Sequence, residues 1–246
     1  MQTIRSCCVL LLAVLVTGCA SLTNTEIHTS PEVSLNSSFQ RAPDKPILIS
    51  VIDHDAAKRE GDFGPVLINE INRIYPNAFQ VVPPSTSSVA GSVSMQIHVR
   101  RLGGFFNDST LSVLRRSGYK DPVSGDADEW QQVILEAKSE QPVISGYVGG
   151  PYGIIRGWSG IAFIDIKVHD LRFDRPHIFT ISIAAERSTL NNFGFITAQM
   201  NAAEAWEDVE PRLARFLDAA VQKVAAEQYR QVSPPKPNKS GSYKTI

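Results

Sequence analysis

The sequence predicts an α+β fold, in which one short helix and one long C-terminal helix pack on a mostly antiparallel sheet. Three segments, 92–101, 160–171 and 177–186, alternate apolar and polar residues, which is the pattern of strands with one buried face. From about 196 to 228, apolar residues recur instead every three or four positions, as in a helix that lies on a sheet. This order indicates separate layers of strands and helices around one core.

The first part of the predicted domain has the order strand, helix, strand. Residues 47–52 are apolar on both faces, which favours a central strand. Asp62 is placed to cap a helix that Pro76 ends, and residues 79–82 form a short strand before Pro83. The apolar positions of this helix fall at spacings of three and four: Phe63, Val66, Leu67, Ile71 and Ile74.

The second part ends in a hairpin and the long helix. The segments 160–171 and 177–186 form the hairpin, and residues 172–176 are its loop. Pro211 lacks an amide donor, so we expect the C-terminal helix to be kinked there or to restart near Asp208. The inward stripe of this helix comprises Trp206, Val209, Leu213, Phe216, Leu217, Ala220 and Val224.

The first eighteen residues have the organisation of a secretory signal. Arg5 precedes an uncharged apolar run that extends to Val16, and Thr17-Gly18-Cys19 follows. The run is shorter than the roughly 20 residues that a transmembrane helix needs. We therefore expect residues 1–18 to be removed by cleavage between Gly18 and Cys19.

The residues Val16-Thr17-Gly18-Cys19 resemble the lipobox of bacterial lipoproteins. The resemblance implies a diacylglycerol on the Cys19 thiol and an N-acyl chain such as palmitate on the freed amine, and no other cofactor is expected. Two or three acyl chains make a stable membrane anchor. Ala20 stands where an aspartate would resemble an inner-membrane retention signal, so the resemblance implies the outer membrane, facing the periplasm. The alternative is an ordinary signal peptide that ends in Gly-Cys.

The remaining chain divides by composition. Residues 19–45 are rich in Ser, Thr, Asn and Pro, and we expect a lipidated N-terminus and a flexible tether with a reach of about 25 to 30 Å. Residues 46–230 are expected to form one domain with an insertion at about 103–159, and 231–246 a disordered tail. All three cysteines lie at or before Cys19, which excludes disulfides and thiolate sites in the domain. The charge balance, 24 basic against 25 acidic residues, argues against nucleic-acid binding.

The order of elements also resembles that of the YajG-like envelope lipoproteins. These share a strand-helix-strand beginning and a hairpin-helix ending with this chain. The resemblance implies an envelope lipoprotein without a defined activity. The long insertion departs from that compact pattern.

Two sets of polar residues are candidates for a chemical role. Asp53-His54-Asp55 follows the first strand and suits a metal or a general base, but no other segment has ligand spacing, which favours a polar strand end. A hydrolase triad could combine Ser159 with His98, Asp165 and His169. The segment 157–161 around Ser159, however, lacks the second glycine of a nucleophile elbow, and a strand follows it where the elbow turns into a helix. We expect no catalytic residue and no metal site.

The insertion is rich in glycine and aromatic residues. The run 146–158 does not match a phosphate-binding loop, and a short helix is predicted within 126–137. Glycine-flanked aromatic residues favour two interpretations, a surface that binds a partner or a cap over one end of the core. The candidates for partner binding are Phe105, Phe106, Tyr147, Tyr152, Arg156 and Trp158.

Together these features predict a non-enzymatic accessory or binding module that is anchored in the cell envelope. The expected partners are the bilayer, through the anchor, and an envelope protein or lipid, with no nucleic acid. One alternative is a carrier of lipid or lipopolysaccharide, which would need an apolar cavity between helix and sheet. Another is a tethered metal-dependent hydrolase that uses Asp53, His54 and Asp55.

Overall fold

The computed structural model describes residues 26–59, 61–86, 89–106, 110–119, 130–138, 158–189 and 195–232. Within these ranges a six-stranded sheet and four α-helices confirm the α+β fold. The strands are β1 Glu26–His28, β2 Ile47–Asp53, β3 Phe79–Val81, β4 Val93–Phe106, β5 Trp158–Asp170 and β6 His177–Thr189. The helices are α1 Phe63–Ile74, α2 Thr110–Arg116, α3 Gln131–Lys138 and α4 Phe195–Val232.

The sheet is mixed, whereas the sequence predicted a mostly antiparallel one. Its order is β3-β2-β4-β5-β6, and β1 pairs with the later part of β4. β2 is parallel to both β3 and β4, and the other three pairings are antiparallel. The difference arises because α1 connects β2 to β3 as a crossover, which leaves neighbouring strands parallel. The predicted β5–β6 hairpin is confirmed, with Asp170 paired to His177.

Helix α4 covers one face of the sheet and is continuous from Phe195 to Val232. Pro211 lies inside it on the exposed side, where water can satisfy the carbonyl that loses its partner. The predicted restart near Asp208 is therefore wrong. The predicted inward stripe is confirmed, since every member is at most 1% exposed: Trp206, Val209, Leu213, Phe216, Leu217, Ala220 and Val224.

Helix α1 begins and ends as its sequence predicts. The Asp62 side chain accepts a hydrogen bond from the Gly64 amide at 2.9 Å, which satisfies one of the free donors of the first turn. The helix ends at Ile74, two residues before Pro76. Its predicted apolar positions are buried, apart from the half-exposed Val66 and the partly buried Ile74.

Residues 29–45 were predicted to belong to a flexible tether, and the structure corrects this. After β1 the segment runs along α4, whose side chains accept hydrogen bonds from its backbone amides: Glu210 from Ser34, Asp218 from Ser38, and Gln228 from Asp44 and Lys45. Leu35 is 1% exposed in the core. The composition was misleading because this segment, which we call the strap, has no regular secondary structure. It is held by scattered polar contacts and needs no regular spacing of apolar residues.

The insertion is also shorter than predicted, because β4 continues to Phe106 and β5 begins at Trp158. Phe105 packs under Val113 and Leu114 of α2 on the face of the sheet opposite α4. Phe106 and Trp158, whose ring centroids are 5.0 Å apart, pack under the start of α4. The three aromatic candidates that the structure describes are thus at most 9% exposed and cap the core, so their assignment to a partner-binding surface is wrong.

The predicted helix within the insertion exists in the described range as α3. It begins at Gln131, and the residues buried at and after its start are Trp130, Val133, Ile134 and Ala137, each at most 5% exposed. The Trp130 Nε1 donates to Asp170 Oδ2 at 3.3 Å, at the end of β5 that is distant from Trp158.

The first turns of α4 lie directly on a pair of glycines. Gly104 and Gly160 face each other across β4 and β5. A Cβ atom on Gly160 would lie 2.1 Å from the carbonyl carbon of Asn201, and one on Gly104 would lie 2.5 Å from the Cβ of Ala198. Only glycine permits so close an approach of helix and sheet backbones.

Candidate functional site

A β-bulge in β4 organises the polar side of the sheet. Val99 pairs with Ile164 of β5, and Arg101 pairs with the adjacent Phe163, so Arg100 is an extra residue in the ladder. Successive residues of a regular strand point to opposite faces, but a bulge re-aims one of them. Arg100 and Arg101 consequently both contact side chains on the face opposite α4.

Arg100 is the centre of a cluster that we call the histidine face: His54, His98, Arg100, Asp165 and Ser182. The Arg100 Nε donates to Asp165 Oδ2 at 2.8 Å, and its Nη1 lies 3.2 Å from His54 Nε2. The His54 and His98 rings are stacked with centroids 5.3 Å apart, and His54 Nε2 lies 3.0 Å from His98 Nδ1. Ser182 Oγ donates to the second oxygen of Asp165 at 2.6 Å.

The two histidines of this face are neutral at pH 7. A guanidinium can only donate, so His54 Nε2 is the acceptor in its contact with Arg100. Burial lowers the pKa of His98 to about 4, and the charge of Arg100 adds to the shift. Burial and Arg100 lower the pKa of His54 as well. The face therefore presents uncharged imidazoles beside a cation.

Hydrogen-bond donors outnumber acceptors on the histidine face. Both oxygens of Asp165 are taken by Arg100 and Ser182. The described residues engage only Nε and Nη1 of Arg100, whose guanidinium carries five N–H donors. Lys167 is exposed two residues further along the same face of β5. Such a surface suits a carboxylate or phosphate group.

The lowered pKa of His98 predicts acid sensitivity. A native state that prefers the neutral imidazole binds fewer protons than the unfolded chain between about pH 4 and pH 6.5. The free energy of unfolding should therefore fall as the pH is lowered through this window, by roughly 1 to 2 kcal/mol after allowing for the partial exposure of the ring. Denaturant unfolding at a series of pH values measures this, and His98→Gln should flatten the profile. An unchanged slope in His98→Gln would contradict the assignment.

A second charged group, which we call the β1 cluster, fixes β1 to the domain: Glu26, His28, Asp55, Arg101 and Ser117. The Arg101 Nη1 lies 2.8 Å from both Glu26 Oε1 and Asp55 Oδ1, and its Nε donates to Ser117 Oγ at 2.9 Å. His28 lies between the same two carboxylates, with Nε2 3.1 Å from Glu26 Oε1 and Nδ1 3.7 Å from Asp55 Oδ2. These contacts join β1, the end of β2 and the end of α2.

Three ligand atoms of the β1 cluster lie within 4.8 Å of one another, those of Glu26, His28 and Asp55, and this donor set is one that a divalent cation accepts. The surrounding charges argue against a cation. Arg101 already contacts both carboxylates, and Lys58 Nζ lies 3.7 Å from Asp55 Oδ1. A metal ion would face two positive side chains at short range. The contacts among these side chains form an internal ion network.

The side chains of Asp53-His54-Asp55, the motif of the hydrolase alternative, do not form one site. Asp53 is paired with Arg59 at 2.6 Å, and both side chains are 1% exposed. His54 belongs to the histidine face and Asp55 to the β1 cluster. Asp53 and Asp55, two residues apart, both lie near Arg59, at 2.6 and 4.0 Å, whereas His54 contacts His98 and Arg100, so the three side chains do not converge on one ligand.

Ser159 is also far from the Asp165 that the serine triad would require. Ser159 pairs with Phe105 and Ser188 at one end of the sheet. Asp165 lies six residues further along β5, a distance of about 20 Å in a strand. The partners of its carboxylate are Arg100 and Ser182.

Sequence reasoning missed the β1 cluster because Glu26 and His28 fell in the predicted tether. Their signal is the alternation of Glu26, Ile27 and His28, which is too short to predict a strand. Arg100 is one of the polar residues in the alternating segment 92–101. The sequence contains no pattern that marks the bulge, so Arg100 cannot be distinguished from Arg101.

Several predicted site residues lie outside the described residues: Gly18, Cys19, Tyr147, Tyr152 and Arg156. Among the described helices, none is both long enough and apolar enough to span a bilayer. Comparison with known proteins gives no relative, since no family model, no curated protein and no solved structure matches this chain.

Proposed function

We propose that this chain is a lipid-anchored protein of the bacterial envelope, on the periplasmic side of the outer membrane, and that it acts there as a non-enzymatic binding module. Val16-Thr17-Gly18-Cys19 supports the anchor. The observation that carries the binding role is the bulge that turns Arg100 beside His54 and His98. The partner is an envelope component that presents a carboxylate or phosphate group to this surface.

The paired state of the acidic side chains weakens the alternative of a hydrolase that uses Asp53, His54 and Asp55. A general base needs a carboxylate or imidazole that can reach a substrate proton. Asp53 is buried against Arg59, and Asp55 is bonded to Arg101. Ser182 donates to Asp165 and has no imidazole beside it that would activate it as a nucleophile among the described residues.

The packing between α4 and the sheet favours surface binding over the alternative of a lipid carrier. A carrier of this design would hold an acyl chain between helix and sheet. That layer is instead occupied by large side chains that are at most 1% exposed, among them Trp206, Phe216 and Phe63. The Phe63 and Trp206 rings pack edge to face with centroids 4.9 Å apart.

Replacement of the lipobox cysteine tests the anchor. We expect Cys19→Ala to release the protein into the soluble fraction, because no acyl chain can be attached. Membrane fractionation, with mass spectrometry of the N-terminal peptide, measures both the location and the lipid. A Cys19→Ala protein that stayed in the membrane fraction would refute the anchor.

Crosslinking in living cells tests the binding surface. A photoreactive amino acid at Lys167, at the border of the histidine face, should give one discrete adduct, whereas one at Val66 on α1 should give none. Arg100→Glu is unsuitable as the perturbing variant, because it would place a second carboxylate against Asp165 and disturb the fold. The perturbing variant is instead Lys167→Glu at an exposed position, with the photoreactive amino acid at position 54. We expect several-fold less adduct, because an acidic group would repel the partner.

Lys45→Glu is the matched control, since this lysine is exposed at the opposite end of β2. A protein adduct identifies a partner protein and a lipid adduct identifies a headgroup. Equal adduct yields for Lys167→Glu and Lys45→Glu would contradict an acidic partner at the histidine face.

A further inference from the structure

An apolar stripe is exposed on the first turns of α4. Ile196 is 62% exposed and Met200 is 57% exposed, although each is a large apolar side chain. Their spacing of four places them on one side of the helix, and Ala203 continues the stripe. Further along the helix Glu204, one turn beyond Met200, and Glu207 are exposed, so the stripe is apolar only in the first turns.

The stripe lies at the end of the sheet where the chain enters from the proposed anchor. Glu26 of β1 is paired with Phe105 near the end of β4. Ala198, between Ile196 and Met200, packs in one cluster with Ile27, Phe106 and Trp158. The beginning of β1 and the beginning of α4 are therefore neighbours in the fold.

The length of the connecting chain limits how far this end can be from the membrane. Glu26 is the seventh residue after Cys19. Seven residues span at most about 25 Å even when fully extended. If Cys19 carries the lipid, as the proposed function requires, this connection keeps β1 and the neighbouring start of α4 within reach of the bilayer surface.

We propose that Ile196 and Met200 insert into the interfacial region of the bilayer that holds the anchor. The inference rests on the proposed lipidation of Cys19. The first turn of α4, which holds Ile196, contains no acidic residue, and the first carboxylate along the helix is that of Glu204, one turn beyond Met200. The domain would then have a fixed orientation, with the start of α4 against the membrane and the hairpin end of the sheet away from it.

Ile178 is a matched control for this contact. It is 53% exposed, close to the values of Ile196 and Met200, and it lies near the start of β6. It pairs with His169, whereas Thr189 at the other end of β6 pairs with Trp158 beneath α4. About 35 Å of strand separates the two ends.

The test uses the full lipidated protein in vesicles of phosphatidylethanolamine and phosphatidylglycerol. An environment-sensitive fluorophore is attached to Met200→Cys or to Ile178→Cys. Labelling is specific because Cys19, the other cysteine left after signal cleavage, has its sulfur joined to the diacylglyceryl group as a thioether and has no free thiol. We expect a blue shift at position 200 and loss of most of its emission with lipids that carry a quencher on the acyl chain, and neither effect at position 178.

Flotation of the same vesicles separates the possible failures. If the protein does not float with the vesicles, the lipid anchor is absent and both proposals fall. If the protein floats but the label at position 200 behaves like that at position 178, the membrane contact alone is overturned. A blue shift at position 200 without quenching by lipid would show that another protein or a second copy of this chain covers the stripe, which also overturns the contact.

Discussion

Gly160→Ala is expected to lower the free energy of unfolding by about 3 kcal/mol or more, because the new Cβ would collide with the backbone of α4. The nearest atoms are the carbonyl carbon of Asn201 at 2.1 Å and the amide nitrogen of Ala202 at 2.2 Å. The helix cannot move away cheaply, since the buried Asn201 Nδ2 donates to the Trp158 carbonyl at 2.8 Å. Denaturant unfolding of the Cys19→Ala chain, with and without this substitution, measures the loss.

The neighbouring glycine provides a contrast. A Cβ on Gly104 would first meet a side-chain atom, the Cβ of Ala198 at 2.5 Å. Ala198→Gly should therefore relieve part of the damage of Gly104→Ala, with a favourable coupling of about 1 kcal/mol in a double-mutant cycle. The same Ala198→Gly should be additive with Gly160→Ala, because that clash is with backbone. Coupling of equal size in both pairs would mean that the contact between α4 and the sheet is not the one described.

Arg59→Ala is expected to destabilise the protein by about 3 to 5 kcal/mol, because it leaves the Asp53 carboxylate buried without its counter-charge. Both side chains are 1% exposed, and their charged atoms are 2.6 Å apart. The backbone amides of Asp55 and Phe63 also donate to Asp53, at 3.0 and 3.3 Å, but they cannot replace a full positive charge. Thermal and denaturant unfolding measure the difference from the parent chain.

An exposed ion pair and a neutral replacement are the controls for Arg59→Ala. Arg73 is paired with Glu70 at 2.6 Å, but its side chain is 63% exposed, so Arg73→Ala should leave the stability nearly unchanged. The double replacement Asp53→Asn with Arg59→Met removes both charges and should recover most of the loss. If Arg59→Ala were no more harmful than Arg73→Ala, the buried pair would not stabilise the junction of β2 and α1.

Several elements of the fold could be predicted from the sequence, and others could not. The Asp62 cap, the inward stripe of α4 and the β5–β6 hairpin were predicted because local periodicity and capping chemistry determine them. The continuity of α4 through Pro211 was not, because a helix that is packed over most of its length can tolerate one lost hydrogen bond on its exposed side. Nor was the strap of residues 29–45, which owes its position to the polar side chains of α4.

The candidate site was less predictable than the fold. The alternation along β4 placed His98 on the polar side, and that face is where the structure has it. Its neighbours came from other segments: His54 after β2, Asp165 from β5 and Ser182 from β6. Pairing of distant strands brings them together, and a single strand pattern carries no information about its partner's register.

Local sequence patterns were enough to predict the α+β class, the elements with strong periodicity and the resemblance of Val16-Thr17-Gly18-Cys19 to a lipobox, because each of these depends on residues that are close together in the chain. Only the tertiary structure decided that the aromatic ends of β4 and β5 are core, that β1 belongs to the sheet, and that a bulge places Arg100 and Arg101 on one face. The physical reason is that burial, strand register and ion pairing are set by contacts between segments far apart in sequence, where any one segment is compatible with several partners.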